Sequence, residues 1–234
     1  ADEVASYVSY IENEIGKKDD YYKDYDPVPI ALKKNDTKVI AWYLPQFHKT
    51  QINDRYYGKG FTEWTNTSKA IPLFTGHYQP HIPFDVGYYD LHDPDIFIRQ
   101  IELAKQYGVY GFSFYYYWFS GKRALEKPLD YFLKHTELNM NFCITWANEN
   151  WTALWDGGNK DIIFEQKLKK DDDQKLISDL TPFLVDDRYI CIGNKPLLIV
   201  YRPNIWSRER VCTLFENFRN EFRKKVGREL YIAV

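Results

Sequence analysis

Short apolar segments alternate with longer segments of helical pattern from residue 39 onward. Strands buried on both faces carry nearly continuous apolar residues, so five strands are predicted, at 39–44, 109–118, 142–147, 196–201 and 230–234. Four helices are predicted between them: one begins at Asp93 and Pro94, and the others lie at 128–136, at 171–185 and over 211–222. This alternation predicts an α/β fold with a mostly parallel sheet.

The fold class that this order favours is the (β/α)8 TIM barrel. Five strands and four helices are only part of an eight-unit barrel, so the barrel is expected to be incomplete in this chain. A doubly wound open sheet is the alternative. Its dinucleotide-binding form needs a glycine-rich turn after the first strand, where this chain has PQFHKTQ.

Residues 1–38 differ from the rest of the chain. An acidic helical pattern is followed by a charged, proline-containing stretch, which predicts an arm or interdomain linker before a barrel domain at 39–234. The first ten residues lack the basic and apolar regions of a leader, which predicts a cytoplasmic protein. The chain begins with Ala1 and not with methionine, so we expect preceding sequence to be missing.

Composition excludes several classes of function. With 44% hydrophobic and 27% charged residues the chain can bury a core, and a formal charge of -2 offers no basic surface to nucleic acid or an anionic membrane. No apolar run reaches the ~18 residues of a membrane span. Aromatic residues make up 18% of the chain and are clustered in motifs. They predict either a ring-rich core or stacking on sugar rings.

Polar residues follow the first predicted strand, at the position where barrel enzymes carry their chemistry. Tyr43 ends this strand, and Gln46 and His48 come directly after it. The loop that follows has about fifty residues, well beyond the usual 2–6, and contains motifs dense in aromatic and turn residues. We expect this loop to be ordered and functional.

Two further strand ends carry candidate ligand-binding residues. The second strand contains Tyr116 and Trp118 within a run of rings, although alternation turns some of these rings to one face and some to the other. The fourth strand is followed by Arg202, whose guanidinium can neutralise a carboxylate or bind substrate oxygens.

The third strand ends in TWANENW, the most informative motif of the chain. Asn148, Glu149 and Asn150 lie between Trp146 and Trp151. Glycoside chemistry needs such a set: a carboxyl group as acid or base, amides that bind hydroxyls, and rings that stack on sugars. The alternative is that Glu149 caps a tight turn.

Other chemistries find little support. His77 and His81 have a zinc-like spacing, but Pro80 lies between them and no glutamate follows His77. Phosphate-binding and nucleophile-elbow motifs are absent, and the three cysteines are predicted to be buried thiols. No metal and no organic cofactor is predicted. The run KKDDDQK (169–175) is interpreted as a solvated helix face.

Six motifs together resemble one known family. They are YLPQFH (43–48), GKGFTEW (58–64), GHYQPHIPFDVGYYDLHDP (76–94), FYYYWFSGKR (114–123), WANENW (146–151) and KPLLIVYRP (195–203). They are similar to the WbsX-type domain, which is related to glycoside hydrolase family 99, over about residues 39–234. The resemblance implies a (β/α)8 barrel acting on polysaccharide, encoded in bacterial surface-polysaccharide loci and described as transferase or hydrolase-like.

The same resemblance bears on the candidate residues. Members of glycoside hydrolase family 99 are endo-acting α-mannosidases that use no metal and two closely spaced glutamates late in the barrel, and this chain has no matching pair. Glu149 is therefore nominated by its placement and chemistry alone. By looser similarity Tyr43, Glu63, Asp90 and Trp118 resemble residues that line sugar subsites, and Trp64 follows Glu63 directly.

The sequence thus predicts an enzyme, a glycoside hydrolase that cleaves a bacterial polysaccharide by carboxylate catalysis. Glu149 is the candidate acid, base or substrate anchor, with Glu63 or Asp90 as the second carboxylate. The expected partner of the protein is an oligo- or polysaccharide. No nucleic-acid partner and no membrane span are predicted, and the oligomeric state is left open. A glycosyltransferase of O-antigen or capsule biosynthesis and a non-catalytic glycan-binding module remain alternatives.

Overall fold

The computed structural model describes residues 2–14, 22–26, 28–152, 162–169 and 171–234. Its strands are β1 Val39–Tyr43, β2 Val109–Phe119, β3 Lys122–Ala124, β4 Asn141–Trp146, β5 Trp151–Thr152, β6 Ile162–Phe164, β7 Cys191–Ile192, β8 Lys195–Val200 and β9 Tyr231–Ala233. Its helices are α1 Asp2–Glu14, α2 Gln51–Tyr57, α3 Glu63–Ser68, α4 Pro94–Gln106, α5 Lys127–Lys134, α6 Asp172–Leu184 and α7 Arg208–Val226, with a 3-10 turn at Pro203–Ile205.

All five predicted strands and all four predicted helices are confirmed, as β1, β2, β4, β8 and β9 and as α4 to α7. The start of α4 follows the predicted cap, because the Asp93 carboxylate accepts a hydrogen bond from the Asp95 amide at 3.0 Å and Pro94 takes the first helical position. The short strands β3, β5, β6 and β7 and the short helices α2 and α3 were not predicted.

The main sheet is mostly parallel. Strands β1, β2, β4, β8 and β9 lie side by side in that order, each parallel to the next, while β3 and β7 add antiparallel partners to β2 and β8. The order of the parallel strands is thus their order in the chain. A doubly wound sheet requires a reversal of this order, and the described strands contain none.

Helices cover one face of the sheet. Phe97 of α4, Phe132 of α5, Phe183 of α6 and Phe218 of α7 are buried, and each makes a ring contact with an aromatic residue of β1, β2 or β4. The apolar core lies between the sheet and these helices. The other face of the sheet carries exposed rings, including Trp42 and Tyr201.

The segment that contains residues 169–175 differs from its predicted solvated state. Asp172 and Asp173 are buried at the start of α6. Asp172 accepts a hydrogen bond from the Lys169 amide at 2.8 Å, and Asp173 accepts two from Arg210 and one from Asn217. These carboxylates are buried because the chain supplies donors for them. Of the three cysteines only Cys143 is buried, and Cys212 is exposed.

Part of the N-terminal segment lies against α4 of the sheet-and-helix region. The Ile30 amide donates to the carbonyl of Gln106 at 2.9 Å, and the Gln106 side chain donates to the carbonyl of Asp26. Gly108, at a φ of 72°, ends α4 beside Ile30, whose Cγ2 would lie 3.0 Å from an added Cβ. Within the described ranges, no helix has the length and apolarity that crossing a membrane requires.

Candidate functional site

The carboxyl ends of β1, β2, β4 and β8 meet at one edge of the sheet, because parallel neighbours share their direction. Backbone hydrogen bonds continue beyond the strands. The Ala147 amide donates to the carbonyl of Tyr116 at 3.0 Å, and the Tyr201 amide donates to that of Trp146 at 3.1 Å. The residues that follow each strand are therefore held close to one another.

Asn148 fixes the end of β4 to the end of β8. Its amide nitrogen donates to the carbonyl of Arg202 at 2.8 Å, and its oxygen accepts from the Arg202 amide at 2.7 Å. The side chain is fully buried and both of its polar atoms are used. Asn148 was predicted to bind substrate, whereas the structure gives it this bridging position.

Glu149 and Arg202 form an ion pair at this edge. The guanidinium Nη1 lies 3.0 Å from Oε2 of the carboxylate, and both side chains are half-exposed. The backbone of Arg202 is already fixed by Asn148, so this pair has a defined position. Both groups are accessible to a ligand.

Glu63 comes from the long loop. It is the first residue of α3, and burial raises the pKa of its carboxyl group above the ordinary value. The neighbouring Trp64 fixes this turn, since its indole nitrogen donates to the carbonyl of Tyr89 at 2.8 Å and its ring lies 4.7 Å from that of Phe47. Trp64, predicted to bind substrate, packs within the loop.

The hydroxyl of Tyr117 links the loop to the end of β4. Burial raises its pKa, and the nearby Tyr115, Glu63 and Glu149 raise it further, while a hydrogen bond from the side chain of Gln46 lowers it. Glu63 and Glu149 are thus both within electrostatic range of one phenol. Tyr117 was missed by the sequence analysis, because the period-two alternation of the strand does not show which face the helices leave open.

Three rings lie beside this group on the open face of the sheet. Trp42 of β1, Tyr115 of β2 and Tyr201 after β8 have ring centroids 5.0 to 6.1 Å apart. Burial raises the pKa of Tyr115 to about 12, and Tyr201 and Glu149 raise it as well. None of these three rings was among the predicted site residues.

Four predicted substrate-binding rings point to the opposite face. Tyr43, Tyr116, Trp118 and Trp146 are buried between the sheet and the helices. Tyr43 hydrogen-bonds to Gln100 at 2.5 Å, Trp118 donates to Asp179 at 2.8 Å, and Trp146 stacks on Trp206. The strand alternation that brings Tyr115 and Tyr117 to the open face turns these residues away from it.

The structure places His48 and Asp90 in a separate cluster. His48 is fully buried, its ring lies 5.0 Å from that of His92, and His92 contacts Asp90 at 2.9 Å. Burial lowers the pKa of His48 to about 4, and His92 lowers it further, whereas Asp90 raises it. The imidazole is therefore neutral at physiological pH. The predicted pairing of Asp90 with Glu149 has no contact to support it among the described residues.

The remaining two residues of the third-strand motif differ in their surroundings. The half-buried Trp151 has its ring 5.8 Å from that of Tyr117, so it borders the candidate site. Asn150 accepts a hydrogen bond from the Gln166 amide at 2.6 Å and positions the segment after β6. Residues 153–161, which connect β5 and β6, lie outside the described residues. Among those described, no group of three or more metal-binding side chains occurs.

The mostly parallel sheet thus brings Glu149, Arg202 and the open rings together at its strand ends. Residues 39–234 match the model of the family described as glycosyltransferase WbsX. The chain belongs to this family. The confirmed family resemblance therefore covers the whole sheet and its helices.

Individual relatives add limited detail. The chain is 44% identical over 167 residues to the uncharacterized protein WxcX from two strains of Xanthomonas campestris pv. campestris, covering 71% of this chain. It spans about a quarter, 24%, of the length of these relatives. A solved structure described as a glycoside hydrolase-like protein has a TM-score of 0.49 and 13% identity, with 89% of this chain and 54% of that chain covered. Similarity at this level establishes neither fold nor function.

Proposed function

We propose that this chain is part of a carbohydrate-active enzyme that acts on glycosidic bonds of a bacterial polysaccharide by carboxylate acid–base catalysis. The observation that carries the proposal is the ion pair of Glu149 with Arg202, at 3.0 Å, beyond the carboxyl ends of β4 and β8. A second carboxyl group is within electrostatic range, because burial, Tyr115, Glu63 and Glu149 all raise the pKa of Tyr117. Two carboxyl groups near one position are what cleavage of a glycosidic bond requires. Membership of the WbsX family supports the substrate class.

The different surroundings of the two carboxyl groups suggest different roles. Burial favours the protonated form of Glu63, which suits a general acid that gives its proton to the leaving oxygen. Glu149 lies beside Arg202 and is accessible, which suits a base that takes a proton from water, or an anchor for sugar hydroxyls. Asp90 remains a weaker candidate for the second carboxylate, because its contacts are with His92 and His48.

We further propose that the complete fold is a (β/α)8 barrel whose domain begins near residue 39. Five parallel strands in chain order are the arrangement that consecutive β/α units of a barrel produce. In such a barrel the loops after the strands form the active face, which agrees with the position of Glu63 and Glu149. Residues before this point form the proposed arm or linker.

A glycosyltransferase is the second candidate, and the description of the matched family favours it. In this case the same carboxyl groups would remove the proton of an acceptor hydroxyl, and an activated sugar would supply the glycosyl group. The proposed site and its sugar chemistry are shared by both reactions. What distinguishes them is the need for a sugar donor.

The test uses Glu63→Gln and Glu149→Gln in the full-length protein, with the exposed Glu102→Gln as the matched control. Surface polysaccharides from bacteria that carry the protein are incubated with and without nucleotide-sugars, and reducing ends, released nucleotide and product mass are measured. Each of the two site variants should lower turnover by about 10²-fold or more, and the control should not.

The products decide between the candidates. New reducing ends without a donor support hydrolysis, and nucleotide release with a longer glycan supports transfer. If both site variants retain the turnover of the unchanged protein, the carboxylate assignment is wrong. Tight glycan binding by the full-length protein without any product would instead favour the binding module.

A further inference from the structure

Trp42, Tyr115 and Tyr201 form a cluster that we call the three-ring cluster. Its ring centroids lie 5.0 Å apart for Trp42 and Tyr115, 5.7 Å for Tyr115 and Tyr201, and 6.1 Å for Trp42 and Tyr201. The rings come from three different strand segments yet contact one another pairwise. Trp42 is 53% exposed and Tyr201 is 43% exposed, and both lie near strand ends, where the inner face of the proposed barrel opens onto its active face.

The position of the three-ring cluster is fixed by the sheet. Trp42 pairs with Ser113 across β1 and β2, and the same alternation turns Tyr115 to the face that the helices leave open. The amide of Tyr201 bonds to the carbonyl of Trp146, which holds the third ring at the end of β8. A ligand would thus meet a preorganised surface and not a set of mobile loops.

Charged and polar groups border the rings on one side. Arg202 follows Tyr201 directly and contacts Glu149, and Glu149 is close enough to act on the hydroxyl of Tyr115. The rings of Tyr115 and Tyr201 lie 5.7 Å apart and tilted, so their hydroxyls and ring faces can both contact a ligand. The border therefore has one positive and one negative charge.

This combination selects among chemical classes of ligand. An aliphatic peptide segment would remove water from the half-exposed Glu149–Arg202 pair without supplying new hydrogen bonds, which is unfavourable. A nucleotide would bring phosphates toward a border with no net positive charge. A pyranose ring has an apolar C–H face for the rings and hydroxyls in its plane that can bond to a carboxylate and a guanidinium.

We infer that Trp42, Tyr115 and Tyr201 form a subsite for a neutral pyranose, which stacks on the rings with its hydroxyls toward Glu149 and Arg202. The inference rests on the proposed function and adds the face of the sheet on which the sugar lies. It also assigns recognition to residues that bear no candidate catalytic group. Binding and turnover can therefore be tested separately.

The test places 5-fluorotryptophan in the full-length protein and records its fluorine NMR spectrum. The probes are methyl α- and β-pyranosides of glucose, mannose and galactose at millimolar concentrations, with cyclohexanol as an apolar control. The chain has seven tryptophans, and Trp42→Phe assigns the signal of Trp42. At least one pyranoside should shift this signal, and cyclohexanol should not.

Affinities of variants then test the contribution of each ring. Trp42→Ala and Tyr201→Ala should each weaken pyranoside binding by about tenfold, as truncation of a central aromatic contact does. Trp42→Tyr keeps a flat ring and should restore most of the affinity. Tyr7→Ala removes an exposed ring of α1 and should have no effect. Circular dichroism and urea unfolding verify that each variant is folded.

The results separate this inference from the proposed function. If the pyranosides leave the Trp42 signal unchanged, or if Tyr7→Ala weakens binding as much as Trp42→Ala, the subsite is wrong even where Glu63→Gln abolishes turnover. If binding depends on Trp42 but no glycan is cleaved or extended, the subsite stands and the enzymatic proposal fails. If both the subsite and the enzymatic proposal are correct, Trp42→Ala should raise KM while kcat is largely retained.

Discussion

At the scale of single residues, two carboxyl groups of the candidate site occupy different environments. Glu63 is shielded by burial, whereas Glu149 is half-exposed and paired with Arg202. A buried carboxyl group holds its proton more strongly because the charged form loses solvation. The different environments of the two carboxyl groups therefore arise from the packing around Glu63 and from the arginine beside Glu149.

The raised pKa of Glu63 predicts a dependence of stability on pH. The folded state binds the proton more tightly than the unfolded state, so the contribution of protonated Glu63 is complete below the unfolded pKa and is lost as pH rises through the folded pKa. Glu63→Gln cannot ionise and should lose this dependence. Relative to the unchanged protein, the variant should gain stability on going from pH 4 to pH 7.

Urea unfolding at both pH values measures this difference. Glu102→Gln on the exposed surface of α4 is the control and should leave the pH dependence unchanged. An equal change in the two variants, or a Glu63→Gln protein whose relative stability falls toward pH 7, would contradict the direction of the pKa shift.

At the scale of elements, Asn148 shows how the ends of two strands are joined. Asn148→Ala should remove the two hydrogen bonds that the buried Asn148 side chain makes with the backbone of Arg202, which costs about 1–3 kcal/mol. Asn150→Ala removes a single bond of an exposed residue and should cost less. Chemical denaturation of the two variants provides the comparison. Equal losses would show that the amide bridge of Asn148 has no special role.

The elements themselves were largely predictable, because long apolar runs and helical spacing report burial directly. The short helices α2 and α3 were not, since six or seven residues within a loop contain too few turns to produce a periodic pattern. From the sequence, Asp172 and Asp173 were predicted to be solvated charges. Their burial depends on donors such as Arg210 and Asn217, which are distant in the sequence.

The site residues stay predictions, and the structure bears on their placement only in part. Glu149 and Arg202 meet at 3.0 Å, as expected from strand ends that share an edge, and Trp151 lies beside Tyr117. In β2 the predicted substrate-binding rings were Tyr116 and Trp118, whereas Tyr115 and Tyr117, one residue before each, lie on the face that the helices leave free. A run such as FYYYWF fixes the alternation but not which face is open, and that is decided only by where the helices pack.

At the scale of the whole molecule, the parallel strands follow one another across the sheet in chain order. Consecutive right-handed β/α units wound in one sense produce this order and place the helices on one face. The arrangement leaves the other face for the rings of Trp42, Tyr115 and Tyr201. The position of the proposed sugar site is thus a consequence of the topology and not only of local loops.

Closure of the sheet into the proposed barrel can be tested by amide hydrogen exchange in the full-length protein. Among the described strands, β1 pairs only with β2, and β9 pairs only with β8. Successive amides of a strand point to opposite sides, so an unpaired edge would leave alternate amides of β1 and β9 to exchange quickly. In a closed barrel every strand has two neighbours, and all central amides of both strands should exchange as slowly as those of β2.

Because β2 already lies between β1 and β4, its amides provide the internal reference. Alternating fast and slow amides along β1 or β9, measured at the resolution of single residues, would show an open sheet, and the barrel proposal would then have to be abandoned.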